Sequence, residues 1–189
     1  MKIGIVSDTH GYFDPRLPEL LAGSETILHA GDAGGHDVLD DLALIAPVRA
    51  VRGNVDPPAS DLPLSLRLDL AGVPVEMLHI LPEPQAQLAK WSGPEQRQQS
   101  GARNRFLGQF QPSTRVVIFG HSHEPCLCPL DGKLFLNPGS AGKKRFSLPR
   151  CCGLMTVSGE ELEVKILSLE DYNEKVLQSI RFGLGGSAQ

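Results

Sequence analysis

Aromatic and sulfur-bearing residues are sparse in these 189 positions: seven Phe, two Tyr, one Trp, four Cys and three Met. The cysteines fall as Cys126-x-Cys128 and Cys151-Cys152, which is not the paired C-x-x-C spacing of a zinc finger. They read as reduced thiols that fill a core; a small zinc site built from all four would need two sequence neighbours as ligands. No apolar run approaches the ~20 residues that cross a bilayer, which excludes a membrane-spanning helix. Positive charge is not in excess either. Eighteen Lys and Arg against 22 Asp and Glu leave a net charge of −4, which excludes general nucleic-acid binding through phosphate neutralisation. Met1-Lys2 passes directly into an apolar run, with no room for the charged and apolar regions of a signal peptide, so a cytoplasmic protein is expected.

What is present is a soluble, globular composition, 41% hydrophobic and 21% charged, of a size to bury one core. One domain is expected over residues 1–182, with 183–189 as a frayed tail too poor in apolar surface to order itself. Five times a short apolar run ends on a residue able to bind a metal. Lys2-Ile-Gly-Ile-Val-Ser7 ends at Asp8, with His10 two residues on; Thr26-Ile-Leu-His-Ala-Gly31 ends at Asp32; Val48-Arg-Ala-Val-Arg-Gly53 ends at Asn54. Val73-Pro-Val-Glu-Met-Leu78 ends at His79, and Arg115-Val-Val-Ile-Phe-Gly120 at His121, followed by His123. In open α/β sheets the ligand crevice lies beyond the carboxyl ends of the strands, so strands of this kind would bring these termini together.

Between the runs, residues 14–23 and 36–45 carry apolar side chains at helical spacing, giving the alternation of a parallel or mixed sheet. Residues 64–70 alternate apolar and polar with period 2 and turn at Ala71-Gly72 into the His79 strand, which predicts a hairpin and hence mixed pairing. Residues 82–113 are polar and read as helices broken near Gly93-Pro94, a substrate wall or a subunit contact of a homo-oligomer. Trp91, Phe106 and Phe110 read as core. Strands are expected over 133–136, 153–157 and 161–169, and a last helix over 171–181.

Taken singly, Asp8 reads as a cap, Asn54 as a turn and His79 as a buried core histidine. Taken together, Asp-x-His, Gly-Asp, Gly-Asn-x-Asp, a lone His and Gly-His-x-His in this order resemble the calcineurin-like metallophosphoesterases. The chain is similar to their small bacterial and archaeal phosphodiesterase branch, to which a retromer subunit of the same fold is related. Leu136-Asn-Pro-Gly-Ser140 matches a further signature of that branch. The resemblance implies a four-layer α/β/β/α sandwich of two mixed sheets flanked by helices. It also implies that Asp8, His10 and His123 bind one divalent ion and Asn54, His79 and His121 a second, while Asp32 bridges them. Asp32, Asn54 and His10 are read as catalytic as well as ligating. Mn²⁺ is the expected ion, with Fe, Zn²⁺ and Ni²⁺ as alternatives, because imidazole and carboxylate suit all of them. The reaction implied is hydrolysis of a phosphodiester by a hydroxide shared between the ions.

His29 reads as a structural or supporting hydrogen-bonder and His36 as a solvent-facing helix residue. Asp56 reads as a group that orients a ligand or a loop. Lys143-Lys144-Arg145 reads as a solvated basic run or as a source of charge for a substrate phosphate. Two positions depart from the resemblance: Val55 stands where many members carry a proton-donating His, and Ile80-Leu81-Pro82 follows His79 where Gly is usual. Alternatives are a phosphomonoesterase or nucleotide hydrolase acting on a small phosphate ester, and a non-catalytic metal-binding scaffold for protein partners.

Overall fold

The computed structural model describes residues 1–93, 101–145, 147–170 and 175–184. Along the chain run β1 (Lys2–Val6), α1 (Leu17–Leu20), β2 (Thr26–His29), α2 (His36–Ala43), β3 (Val48–Ala50), β4 (Ser65–Leu70) and β5 (Val73–Leu78). Then come α3 (Gln85–Ser92), α4 (Gly101–Leu107), β6 (Val116–Ile118), β7 (Cys126–Leu130), β8 (Lys133–Asn137), β9 (Cys151–Ser158), β10 (Glu161–Ser168) and β11 (Val176–Gly183). They form a six-stranded sheet in the order β11-β10-β9-β1-β2-β3 and a five-stranded sheet in the order β4-β5-β6-β8-β7. Both are mixed. β1, β2 and β3 run parallel, as do β5, β6 and β8, while the remaining pairs are antiparallel.

Period-2 alternation sorts the side chains of each strand between two layers. Ile3 and Ile5 of the first sheet meet Val116, Ile118, Leu134 and Leu136 of the second in the central core. The opposite faces bury Val6 and Ile27 under α1 and α2, and Val117 and Phe135 under α3 and α4. This is the expected four-layer α/β/β/α sandwich. Val38 and Leu42, four residues apart on α2, and Leu88 and Trp91, three apart on α3, supply the buried helix stripes. Trp91, Phe106, Phe110 and Phe135 stack in one aromatic cluster with ring centroids 5.2–5.5 Å apart, so these aromatics are core.

The C-terminal helix expected over 171–181 is not there: residues 176–183 form β11, antiparallel to β10, and 171–174 lie outside the described residues. Ile180, Phe182 and Leu184 alternate toward the central core, and this period of 2 overrides the helical spacing of Val176 and Ile180. Gly183 and Leu184, expected in the tail, close this strand, and the Leu184 N–H donates to the Glu160 carbonyl; residues 185–189 lie outside the described residues. β7 is an edge strand that the composition of Cys126-Leu-Cys-Pro-Leu130 conceals, and its Pro129 is tolerated because an edge leaves some N–H positions unpaired. Cys128, Cys151 and Cys152 are buried free thiols, and no metal-ligand group among the described residues includes a cysteine. Burial pushes the Cys126 and Cys151 thiols up to about 12, so both stay protonated.

Candidate metal centre

β1, β2 and β3 of one sheet and β5 and β6 of the other all end at the same rim of the sandwich. Hydrogen bonds tie the sheets together there, two of them made by residues of the site. The His79 Nδ1–H donates to the Ala30 carbonyl at 2.7 Å, and the His121 backbone N–H donates to Asp8 Oδ2 at 3.1 Å. Asp8, His10 and His123 form one group able to hold a cation, and Asp8, Asp32 and His79 form another, with Asp8 common to both. Asn54 and His121 complete the set. Asn54 Oδ1 lies 3.1 Å from His79 Nε2, and the His121 ring stands edge-on to His79 at 5.3 Å. All seven side chains singled out in the sequence therefore converge.

The donor set is short of hydrogens. Asp8 is fully buried; its Oδ2 accepts from Ser7 Oγ at 2.6 Å and from the His121 N–H, but Oδ1 has no partner. His123 Nε2 lies 3.3 Å from that orphan oxygen and 3.2 Å from His10 Nε2. With a proton held on Nδ1 by Ala30, the neutral form of His79 would point an Nε2 lone pair at Asp32 Oδ2, 3.2 Å away, and at Asn54 Oδ1. Lone pairs facing lone pairs in a buried pocket are costly unless a cation or proton sits among them. The residues therefore fit divalent metal ions. Burial opposes charging His79, but the hydrogen bond to Asp32 and the nearby Asp8 carboxylate outweigh it and raise its pKa, so a proton competes for this position. Burial likewise opposes the Asp32 carboxylate, yet His79 and the Val55 N–H, which donates to Oδ1 at 2.9 Å, hold its pKa below the ordinary value.

Backbone strain is concentrated on the same residues. Of the eight described non-glycine residues at positive φ, five are Asp8, His10, Asp32, His121 and His123, with φ between 48° and 69°. The left-handed region is disfavoured for side-chain-bearing residues and persists where the surroundings enforce it, as at functional sites. The glycines before three of the ligands have a steric role that the motifs do not spell out. A Cβ on Gly31 would lie 2.6 Å from His79 Nδ1, one on Gly53 2.0 Å from Asp32 Oδ1, and one on Gly120 2.7 Å from Asp8 Oδ2. Each glycine precedes one ligand and makes room for another.

Several supporting residues escape a reading by ligand type. Asn137 donates through Nδ2 toward Gly120 O, Ser122 Oγ and Gln85 Oε1 at 2.9–3.0 Å, and its Oδ1 accepts from the Gly139 N–H. It clamps the loop that carries His121 and His123. Ser140 Oγ donates to the Asp8 carbonyl at 2.9 Å, so the Asn-Pro-Gly-Ser motif braces both halves of the centre. His29, buried, accepts the Gly31 N–H at Nδ1 and faces Thr9 Oγ1 through Nε2 at 2.9 Å, a structural role. His36 is exposed at the start of α2. Asp56 accepts from the Gly34 and Gly53 N–H groups at 2.9 and 2.8 Å and binds the β2 and β3 loops together. Lys144 pairs with Glu170 at 2.8 Å, whereas the charge of Arg145 reaches His10. Burial first, and Arg145 second, lower the His10 pKa and favour its neutral, ligating form.

Comparison with known proteins bears on the family and the fold. Residues 1–160 match the calcineurin-like phosphoesterase superfamily domain, and the chain belongs to that family. It is 31% identical over 175 residues to a probable metallophosphoesterase of Methanothermobacter thermautotrophicus, covering 88% of this chain and 92% of the relative. The fold is shared with Vps29 of Entamoeba histolytica complexed with Zn²⁺, at a TM-score of 0.68 and 21% identity over 98% of this chain and 100% of that one. It is shared too with a phosphoesterase from E. coli, at a TM-score of 0.63 and 20% identity over 95% and 98% of the two chains.

Proposed function

We propose that this chain hydrolyses phosphodiesters with two divalent cations, Mn²⁺ first among the choices and Zn²⁺, the ion named for Entamoeba Vps29, next. The observation that supports this best is Asp8 Oδ1, buried without a hydrogen-bond partner beside the imidazoles and carboxylate of the centre. Asp8, His10 and His123 would hold one ion and Asn54, His79 and His121 the other, with Asp32 and Asp8, the residue common to both groups, supplying the carboxylates. When bound, such ions supply Lewis acidity that brings water into its nucleophilic form near neutral pH and balances phosphoryl charge. The chain itself contributes position: the Val55 N–H orients Asp32, Asn137 and Ser140 brace the loops, and Arg145 adds a positive charge beside His10 for an anionic substrate. Val55 offers no proton to a departing alkoxide.

The test is hydrolysis of bis(4-nitrophenyl) phosphate and 4-nitrophenyl phosphate by protein stripped of metal and reloaded. Turnover of the diester that vanishes on chelation, returns with Mn²⁺ and exceeds that of the monoester is the expected result. A preference for the monoester would favour a phosphomonoesterase or nucleotide hydrolase. Turnover by metal-free protein would overturn the reading. A scaffold, the reading that the Vps29 fold keeps open, would show no turnover under any metal.

A further inference from the structure

Among the described residues, five large apolar side chains stand exposed, and three of them, Val55, Leu64 and Ile80, border the metal centre. A single exposed aliphatic residue is ordinary, but three around one polar centre call for a cause. Ile80 is 47% exposed and forms a partition. On one side an open depression of about 440 Å³ runs from Asn54 and His79 between Leu64, Leu78 and Ile80, with Arg52, Asp56 and Ser65 also on its lining. On the other a depression of about 380 Å³ starts at His121 and passes Ile80, Leu81 and Pro82. Each thus has a candidate metal ligand at its inner end and an apolar wall outside it.

A phosphodiester anion carries two organic arms on one phosphorus, whereas a monoester carries one and would leave a depression empty. We propose that the depression of Leu64, Leu78 and Ile80 receives an apolar arm, aryl or alkyl, of a phosphodiester. Ile80 divides it from the second arm, which runs past His121. Glu83, also on the wall of the second depression, disfavours an anionic group there and so selects against an arm carrying further phosphates. This inference rests on the phosphodiesterase reading and narrows its substrate class.

The experiment uses inert probes with P–C bonds in place of esters, diphenylphosphinate and dimethylphosphinate, titrated calorimetrically into Mn²⁺-loaded protein. Burial of two aryl faces predicts about tenfold or greater preference for diphenylphosphinate. Ile80→Ser and Leu64→Ser each lower that preference at least about threefold at unchanged metal content, because each removes apolar contact area from a wall. Both side chains are exposed, so neither change threatens folding, and Leu44→Ser, at the C-terminal cap of α2 and 87% exposed, is the control that leaves the preference alone. A preference near one, no measurable binding of diphenylphosphinate, or a preference that survives both substitutions overturns the proposal. So does a dimer in sedimentation that Leu64→Ser dissolves while the preference stays fixed, since the rim would then belong to a second copy. Diester hydrolysis is measured separately. If it proceeds with no probe preference, the subsite falls and the hydrolase reading stands; if it fails under every metal while the preference follows Leu64 and Ile80, the subsite stands and the hydrolase reading falls.

Discussion

Asp8 has one carboxyl oxygen satisfied twice and the other not at all. Asp8→Asn keeps an amide oxygen for Ser7 and His121 and places an NH₂ where Oδ1 meets His123 Nε2. We expect this variant to lose metal and activity, yet to stabilise the metal-free protein by about 1–3 kcal/mol, the scale of an unsatisfied buried acceptor. Denaturant titration in chelator checks it; a less stable variant would mean Asp8 is not frustrated without metal. His29 gives a pH signature. Burial pushes its pKa down from 6.5 to about 4, and its Nδ1 accepts the Gly31 N–H. Below pH 6.5 the unfolded chain takes up a proton that the folded one refuses. Stability contributed by neutral His29 is therefore present above the unfolded pKa and lost as pH falls from 6.5 toward 4, by roughly 3 kcal/mol in all. Denaturation of metal-free protein at successive pH values should show a slope that His29→Gln flattens. Val55 offers no proton, so diester rates should fall steeply as leaving-group pKa rises, and Val55→His should help alkyl more than nitrophenyl leaving groups. A shallow dependence in the unmodified chain would reveal a donor elsewhere.

Among the elements, the loop after β6 depends on the end of β8. Asn137→Ala would remove the donors to Gly120 and Ser122 that flank His121 and His123. Loss of such support typically weakens metal binding about 10–100-fold, and calorimetric titration with Mn²⁺ should read that drop with the strands intact by circular dichroism. Unchanged affinity would leave Asn137 with a role in the β8 turn alone. The Asn-Pro-Gly-Ser motif was visible in the sequence, but its task was not, since the clamp joins residues 15 and 17 positions apart and acts on side chains near Asp8, more than a hundred positions away. The strands leading to ligands were legible because each is a continuous apolar run closed by a polar residue. β11 was not: Val176, Leu177 and Ile180 also fit a helix, and only pairing with β10 decides between the two periods. β7 was hidden by Pro129, which propensity counts against a strand and an edge position permits.

For the whole molecule, the candidate ligands come from both sheets: Asp8, Asp32 and Asn54 from one, His79 and His121 from the other. Ions bound there would tie the two layers at one rim. By mass action a ligand at a hundred times its Kd adds about 2.7 kcal/mol, and for a chain of this size that is a rise in Tm of roughly 5–10 °C. Thermal melts of stripped protein with and without Mn²⁺ should show it, and Asp32→Asn should cancel most of the rise while His36→Ala leaves it. No shift in the unmodified chain would mean that the rim is closed without metal.

The interlock of Gly31, Gly53 and Gly120 with His79, Asp32 and Asp8 bears on how such a chain would drift. A lineage released from catalysis need not first lose a ligand. One methyl group at Gly53 would push Asp32 aside and distort the candidate centre while all seven of its side chains remained in the sequence. Vestigial members of such a lineage would then be recognised first at their glycines, and a count of intact histidines and carboxylates would date the loss too late.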